Sequence, residues 1–233
     1  MQPQMRQLGP VETHEIINEP GAPYVVLFHG YGANAFDLMP FSQMLLRSHK
    51  VNWLFPQGIL DLDIGYGMMG KAWFHIDIAA FERAMTTGQF RDLSRDAPAG
   101  FVEARDSVMA MLQKLDVPLE KIVLGGFSQG AMLATDIAMR LPAPPAGLAI
   151  LSGTLVDEEN WRQVARQREG MAFFQSHGKI DPVLPFSMAE KLHELLMEAG
   201  LQGDLKAFSG GHEIPQDVLF ELDIYLESMI QKM

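Results

Sequence analysis

A serine lies between two glycines in the segment GGFSQGAML, at residues 125–133. The G-x-S-x-G pattern of Gly126, Ser128 and Gly130 follows an apolar run and precedes a segment of helical period. This strand–turn–helix setting is typical of a nucleophile elbow, a sharp turn that exposes a serine hydroxyl at the end of a sheet. A flexible Gly-Ser turn would show the same letters, but the setting favours Ser128 as a nucleophile.

A base must accompany that serine, because a serine hydroxyl is a poor nucleophile on its own. The elbow pattern predicts the chain order Ser, then Asp or Glu, then His. Three histidines follow Ser128, namely His177, His193 and His212. His193 lies inside a predicted helix, whereas His177 lies at the end of a predicted strand and could be near the site. His212 occupies the glycine-rich loop SGGHEIP after the last predicted strand, and we predict that it is the base.

The acid should follow an intermediate strand and face the imidazole. Asp181, in HGKIDPVLP, follows a predicted strand and precedes a proline, which indicates a loop. The alternative role for Asp181 is an N-cap of the next helix. Asp157 and Asp204 are less favoured by position, so Asp181 is the predicted acid.

An oxyanion hole of this type needs two backbone N–H donors. The first predicted donor is Gln129, the residue after the nucleophile, where the positive end of a helix dipole would also favour negative charge. The second predicted donor is Tyr31, in the segment FHGYGAN after an early strand. The alternative interpretation of that segment is an ordinary tight turn.

Short apolar strands alternate with longer segments of helical period along the chain, and these elements must position the candidate residues. The alternation predicts an α/β protein with a mostly parallel central sheet flanked by helices. In such a sheet, ligands bind beyond the carboxyl ends of the strands. The predicted strands are Tyr24–Phe28, Val51–Phe55, Ile122–Phe127, Gly147–Leu151, Met171–Ser176 and Asp204–Phe208; the predicted helices are Phe36–Ser48, Pro98–Leu115, Gln129–Leu141, Asp157–Arg168, Pro185–Ala199 and one from near Pro215 to the end.

A single domain over residues 1–233 is predicted, because the length suits one core and no repeat or linker appears. Residues 57–97 interrupt the rhythm. They are rich in Gly, Met and aromatic residues without a clear period, which indicates a lid or pocket wall. The segment GYGMMG at 65–70 matches G-x-G-x-x-G, but no clean helical period follows it, which disfavours a dinucleotide site. We predict instead an apolar acyl pocket lined by Met68, Met69, Trp73 and Phe74.

Composition excludes several classes of function. The net charge of −11 argues against a nucleic-acid partner, which needs clustered Lys and Arg. The absence of cysteine excludes disulfides and a Cys nucleophile. No segment resembles a signal peptide or approaches the length of a membrane span, so we expect a cytoplasmic location without stable membrane insertion. His75 and Asp77 alone do not make a metal site. We expect no cofactor, no metal, and a monomer or homodimer.

The motifs together resemble those of the α/β-hydrolase superfamily, and more narrowly of the carboxylesterase/phospholipase family that includes the acyl-protein thioesterases. The segments LFHGYGAN, GGFSQGAMLA, LSGTL, SHGKIDPVLP and GGHEIP occur in the family order and cover most of the chain from Tyr24 onward. Two positions depart from the family pattern: His75 stands where an Asp is common, and Ala131 where a Gly is common. Residues 57–97 match the family poorly.

The resemblance implies the α/β-hydrolase fold and assigns residues to roles. It implies a catalytic triad of Ser128, Asp181 and His212, with Tyr31 and Gln129 as the oxyanion donors. The predicted function is that of a serine hydrolase, a carboxylesterase that cleaves esters of small or acyl-chain substrates through an acyl-enzyme. Acyl-protein thioesterase and lysophospholipase activities are alternatives. A catalytically silent binding module would be indicated by a broken triad, and here all three residue types are present.

Overall fold

The structure is a computed structural model that describes residues 3–65, 67–77 and 92–233. Its sheet strands are β1 (Gln4–Leu8), β2 (Val11–Ile16), β3 (Tyr24–Phe28), β4 (Asn52–Pro56), β7 (Ile122–Phe127), β8 (Gly147–Leu151), β9 (Ala172–Gly178) and β10 (Gln202–Phe208), and a separate hairpin is formed by β5 (Leu60–Asp63) and β6 (Met69–Ala72). The helices are α1 (Phe41–Met44), α2 (Phe101–Gln113), α3 (Gln129–Arg140), α4 (Glu158–Ala165), α5 (Phe186–Glu198) and α6 (Gln216–Ile230).

The central sheet has eight strands in the order β1-β2-β4-β3-β7-β8-β9-β10. The six strands from β4 to β10 in this order are parallel, whereas β1 and β2 pair antiparallel with each other and β2 with β4. The mostly parallel α/β sheet predicted from the sequence is therefore confirmed. Because the parallel strands share a direction, the loops after β3, β7, β9 and β10 leave the sheet at one edge.

Helices cover both faces of the sheet. Alternate residues of a strand point to opposite faces, so Ile122 and Leu124 of β7 belong to one core cluster and Val123 to the other. The first cluster contains residues of α2, α3, α4 and α5, and the second contains residues of α1 and α6. The strand that ends at Ser128 is thus buried on both sides, which fixes the place where it ends.

Three parts of the secondary structure differ from the sequence-based expectation. The predicted helix Phe36–Ser48 is reduced to α1, because Asn34 Oδ1 accepts the N–H of Phe36 in a turn and the backbone at Leu46 has a positive φ of 52°. No strand was predicted before Tyr24, yet β1 and β2 form there; their sequences, QMRQL and VETHEI, lack an apolar run. Strand β6 was also missed. The single-domain interpretation of residues 1–233 stays a prediction.

Candidate active site

Ser128 stands at a sharp turn between β7 and α3. Its backbone has φ 55° and ψ −118°, a strained conformation for a residue with a side chain. A Cβ on Gly126 would lie 2.5 Å from the backbone of Gly130, and a Cβ on Gly130 would lie 2.1 Å from Phe28 O. Only glycine therefore fits on either side of the serine, which is the physical content of the G-x-S-x-G pattern. The N–H of Ser128 donates to Leu151 O at 2.8 Å and holds the turn in place.

A row of hydrogen bonds joins three side chains that are far apart in the sequence. Ser128 Oγ lies 2.8 Å from His212 Nε2, across 84 positions of the chain. His212 Nδ1 lies 2.7 Å from Asp181 Oδ2, across 31 positions. The His212 ring also contacts the ring of Phe127, with centroids 4.8 Å apart. The structure thus brings together the predicted nucleophile, base and acid in an arrangement that can relay the serine proton to the imidazole.

The carboxylate of Asp181 is buried and fully hydrogen-bonded. Its Oδ1 accepts the N–H groups of Val183 at 2.7 Å and Leu184 at 2.9 Å. Burial alone would raise the pKa of Asp181, but hydrogen bonds from His177 and His212 outweigh it and hold the pKa well below its usual range. Asp181 therefore carries a negative charge. It is not the N-cap of α5, where Pro185 occupies that position.

The other two histidines after the serine lie elsewhere. His177, at the end of β9, is completely buried; its Nε2 lies 2.9 Å from Leu184 O and 3.3 Å from Asp181 Oδ2. His193 lies on α5 with its ring 5.6 Å from that of Phe173. The imidazole that contacts Ser128 Oγ is that of His212.

The loop after β3 runs beside the serine. A Cβ on Gly30 would lie 3.5 Å from Ser128 Cβ, so the backbone that carries the Tyr31 N–H is close to the nucleophile. His29 Nδ1 lies 2.7 Å from Gly30 O, and its Nε2 lies 2.9 Å from the N–H of Gly58. Because Nε2 accepts that N–H, the ring proton must be on Nδ1 and is donated to Gly30 O.

This arrangement orients the Tyr31 N–H. The Gly30 C=O and the Tyr31 N–H belong to one planar trans peptide and point in opposite directions, so the hydrogen bond from His29 fixes both. Burial lowers the pKa of His29 to about 4, which keeps the ring neutral at neutral pH. The loop after β3 is therefore more than an ordinary tight turn, because the buried side chain of His29 determines the direction of the Tyr31 N–H.

The side chain of Gln129 is buried and joins α3 to the end of β6. Its Oε1 accepts the N–H of Trp73 at 2.9 Å, and its Nε2 donates to Phe74 O at 2.8 Å. Trp73 Nε1 in turn donates to His29 O at 2.9 Å. Gln129 therefore ties both predicted oxyanion donors, its own N–H and the loop of Tyr31, into one hydrogen-bonded unit.

The predicted acyl-pocket lining is wrong for two of its four residues. Trp73 and Phe74 have no exposed surface and lie in the hydrophobic core. The edge of the Trp73 ring packs against Phe28, with centroids 5.4 Å apart, so the ring is shielded by protein. Met68 and Met69 are about half exposed or more, and their role in binding substrate stays a prediction.

The described part of residues 57–97 contains an ordered hairpin, β5–β6. It is fixed to the loop of Tyr31 by hydrogen bonds from Gly32 N to Lys71 O at 2.9 Å and from Lys71 N to Ala33 O at 2.8 Å. Tyr66 and residues 78–91 lie outside the described residues, so the lid or pocket-wall interpretation stays a prediction. The segment 65–70 leads into β6 and does not open a helix, as a dinucleotide-binding turn would.

The described residues contain neither a metal-binding cluster nor a membrane-spanning helix. In ranges 3–65, 67–77 and 92–233, no group of three or more His, Asp or Glu side chains is placed to hold a metal ion. None of the helices in those same ranges has the length and apolar character needed to cross a membrane.

Sequence reasoning named His177 as a residue near the site but missed the contacts made by the side chains of His29, His177 and Gln129. A signal for the two histidines was available, because a His-Gly pair directly follows β3, at residues 29–30, and another ends β9, at residues 177–178. A histidine at the buried end of a parallel strand, followed by glycine, is placed to hold the next loop. The clamp made by the Gln129 side chain had no comparable signal.

The chain is similar to known proteins in both sequence and fold. The sequence model of the phospholipase/carboxylesterase family matches residues 13–230. An acyl-protein thioesterase 1 of Candida albicans is 25% identical over 89% of this chain and 92% of its own length. A probable carboxylesterase of Oryza sativa subsp. japonica is 27% identical over 89% of this chain and 78% of its own length. The crystal structure of esterase PE8 superposes with a TM-score of 0.75 at 25% identity, and covers 98% of this chain and 100% of that one.

Proposed function

The chain belongs to the phospholipase/carboxylesterase family of α/β-hydrolase enzymes, as its motifs predicted, and on this premise we propose that Ser128 cleaves carboxylic esters of small or acyl-chain substrates. The observation that carries the proposal is the unbroken row of hydrogen bonds from Ser128 Oγ through His212 to Asp181. The substrate bond is attacked by a protein hydroxyl, so an acyl-enzyme lies on the route.

In the proposed mechanism, His212 Nε2 accepts the proton of Ser128 Oγ while that oxygen attacks the carbonyl carbon. The tetrahedral intermediate collapses when the carbonyl re-forms, and the imidazolium gives its proton to the departing alcohol. Water then attacks the acyl-enzyme, with His212 as the base again, and releases the acid and free Ser128. Asp181 remains ionised throughout, because its hydrogen bonds keep its pKa low.

The oxyanion of each tetrahedral intermediate is held, in this proposal, by the N–H groups of Tyr31 and Gln129. Two features support these donors: the backbone beside Tyr31 approaches Ser128, and Gln129 is the first residue of α3. Removal of one such donor typically costs on the order of 10²–10³ in turnover.

Thioesters and lysophospholipids are the alternative substrates. The same serine chemistry applies to them, because each presents an acyl carbonyl with a leaving group. A thioester specificity is favoured by the name of the Candida albicans relative, and an oxygen ester by that of the Oryza sativa relative. We therefore propose what these alternatives share, namely an ester or acyl-chain substrate.

A phosphonate probe tests the nucleophile. We expect it to label Ser128 stoichiometrically in the wild type and to leave Ser128→Ala unlabelled. Labelling of a different serine, or of none, would contradict the proposal.

A substrate panel tests the specificity. We propose to measure kcat/KM for p-nitrophenyl esters from acetate to palmitate, matched acyl-thioesters and lysophosphatidylcholine, with Ser128→Ala as the control. Turnover of any of these by the wild type but not by Ser128→Ala supports the hydrolase. If the intact protein turns over none of them, the catalytically silent binding module becomes the better account.

A cytoplasmic location and the choice between monomer and homodimer remain predictions, to be tested by fractionation and by sedimentation.

A further inference from the structure

We propose that His177 is a positioning residue that holds the Asp181 carboxylate in place for His212. The inference rests on the proposed function, because it assigns His177 to the acid of that triad. His177 lies at the carboxyl end of β9, four residues before Asp181, and neither side chain has exposed surface.

The hydrogen bonds around Asp181 leave one acceptor position on its carboxylate, and this position faces His177. Oδ1 accepts two backbone N–H groups of the following turn, from Val183 and Leu184. Oδ2 lies 2.7 Å from His212 Nδ1 and 3.3 Å from His177 Nε2. His212 occupies one side of Oδ2, and the Nε2 of His177 lies against the other. His177 thus contacts the same oxygen as the base, from the protein interior.

The tautomer of His177 follows from its neighbours. Nε2 faces the carbonyl oxygen of Leu184 at 2.9 Å as well as Asp181 Oδ2, and both of these groups are acceptors. Nε2 must therefore carry a proton, which it donates to Leu184 O while Asp181 Oδ2 lies 3.3 Å away. Nδ1 is buried and has no hydrogen-bond partner among the described residues, so the tautomer with a bare Nδ1 avoids burying an unpaired N–H.

The filling of space alone does not explain this choice of residue. The ring of His177 lies 6.2 Å from that of Phe186 in a water-excluded place, where an apolar side chain would avoid the cost of a buried ring nitrogen without a partner. The contact of the other ring nitrogen, Nε2, with the charged Asp181 carboxylate offsets that cost. The hydrogen bond from His177 is also a principal reason why the pKa of Asp181 is low despite burial, which by itself would raise it.

The bonds of His177 restrain the turn as well as the charge. Leu184 accepts from His177 through its carbonyl and donates to Asp181 Oδ1 through its N–H at 2.9 Å. His177 therefore restrains the turn at Leu184, and that turn holds the Asp181 carboxylate. Without it, Oδ2 has only His212 as a side-chain partner among the described residues.

The test compares three variants of the full chain. His177→Phe keeps the ring but removes the donor. His177→Gln keeps an N–H donor near the place of Nε2. His193→Phe is the matched control, because His193 also has a buried Nδ1 without a partner among the described residues but lies on α5 away from Asp181. We propose to measure kcat and KM on a p-nitrophenyl ester, and the NMR resonance of the proton between His212 and Asp181.

We expect kcat of His177→Phe to fall by about 10- to 100-fold, the range for losing one hydrogen bond to a charged group, with KM nearly unchanged. The His212–Asp181 proton resonance should shift and exchange faster with water. His177→Gln should recover most of kcat, and His193→Phe should keep it. A folded His177→Phe with wild-type kcat and an unaltered resonance would overturn the inference.

Two further variants separate the possible failures. If His177→Phe does not fold, His177→Gln and His177→Asn decide, because the shorter Asn cannot place its N–H at the position of Nε2; equal kcat in the two would overturn the inference. If Ser128→Ala retains wild-type turnover, the proposed function fails instead, and the proton resonance in the His177 variants still tests the contact itself.

Discussion

Two groups of loops meet at Ser128 and are built in opposite ways. The loops after β9 and β10 hold the predicted acid and base, Asp181 and His212, with His177 behind them. The loop after β3 holds the backbone N–H of Tyr31, a predicted oxyanion donor, on a peptide whose carbonyl is bonded by the neutral side chain of His29. Both groups lie at the same edge of one parallel sheet.

The difference follows from what each side must do. Proton transfer needs a group that changes its charge, so it must come from side chains, and a fixed carboxylate stabilises the imidazolium that forms. Charge stabilisation needs a dipole that does not move, and a planar peptide held on its carbonyl side provides one. A buried histidine lies behind each side: His177 bonds to a carbonyl and contacts the Asp181 carboxylate, whereas both ring nitrogens of His29 bond to backbone groups.

The first prediction breaks the charged side alone. Asp181→Asn keeps the shape of the side chain but removes the charge and favours the wrong tautomer of His212, so kcat should fall on the order of 10⁴-fold. Steady-state kinetics on a p-nitrophenyl ester measure it. Asp204→Asn, an exposed change on β10, is the control and should keep kcat. A loss of less than tenfold in Asp181→Asn would contradict the assignment of the acid.

The second prediction concerns only the loop after β3, which holds the predicted oxyanion donor Tyr31. His29→Phe fills the same space but removes the donor to Gly30 O, so the Tyr31 N–H loses its fixed direction. We expect kcat to fall by about 10²–10³, the effect of one oxyanion donor, with a smaller change in KM. The rate of phosphonate labelling should fall in parallel. If His29→Phe folds and reacts as the wild type does, the Tyr31 N–H is not a donor.

The third prediction separates the two sides by pH. Burial lowers the pKa of His29 to about 4 in the folded protein, against about 6.5 when unfolded. Burial of the neutral ring therefore contributes to the free energy of unfolding, and this contribution is fully present above pH ~6.5. As pH falls toward 4, the contribution is lost, by up to about 3 kcal/mol. Asp181, with its pKa held below the usual range, contributes stability that is lost only as pH falls below its unfolded value of about 3.9.

Urea unfolding at a series of pH values measures both contributions. His29→Phe should flatten the change in unfolding free energy between pH ~6.5 and 4, while Asp181→Asn should alter only the more acid region. An unchanged slope between pH ~6.5 and 4 in His29→Phe would show that another group titrates there.

The smallest expected effect concerns the hairpin that is attached to the oxyanion loop. If Met68 and Met69 contact the acyl chain, Met68→Ser with Met69→Ser should raise KM for long acyl esters by a few fold, since each side chain buries only part of its apolar surface. KM for the acetate ester should not change. Met5→Ser, an exposed methionine on β1, is the control. Equal effects on short and long esters would exclude a role in the acyl pocket.

Much of this site was predictable, because the relevant signals are local. The elbow at Ser128 follows from glycines that lie two positions to either side, and the candidate acid and base follow from the ends of strands with clear apolar runs. The interpretation of Trp73 and Phe74 failed for a different reason. An aromatic residue in an irregular segment lines a pocket or fills a core with equal ease, and the outcome depends on what packs over it.

The sequence by itself determined the α/β class, the order of the six parallel strands, the sharp turn at Ser128 and the residue types of the proposed triad, because periodicity and turn chemistry are properties of adjacent residues. Only the tertiary structure decided that His177 lies behind Asp181, that His29 bonds to Gly30 O, and that the Gln129 side chain bonds to Phe74 O. These contacts depend on which strand ends become neighbours in the sheet, and that is settled by the packing of the whole core.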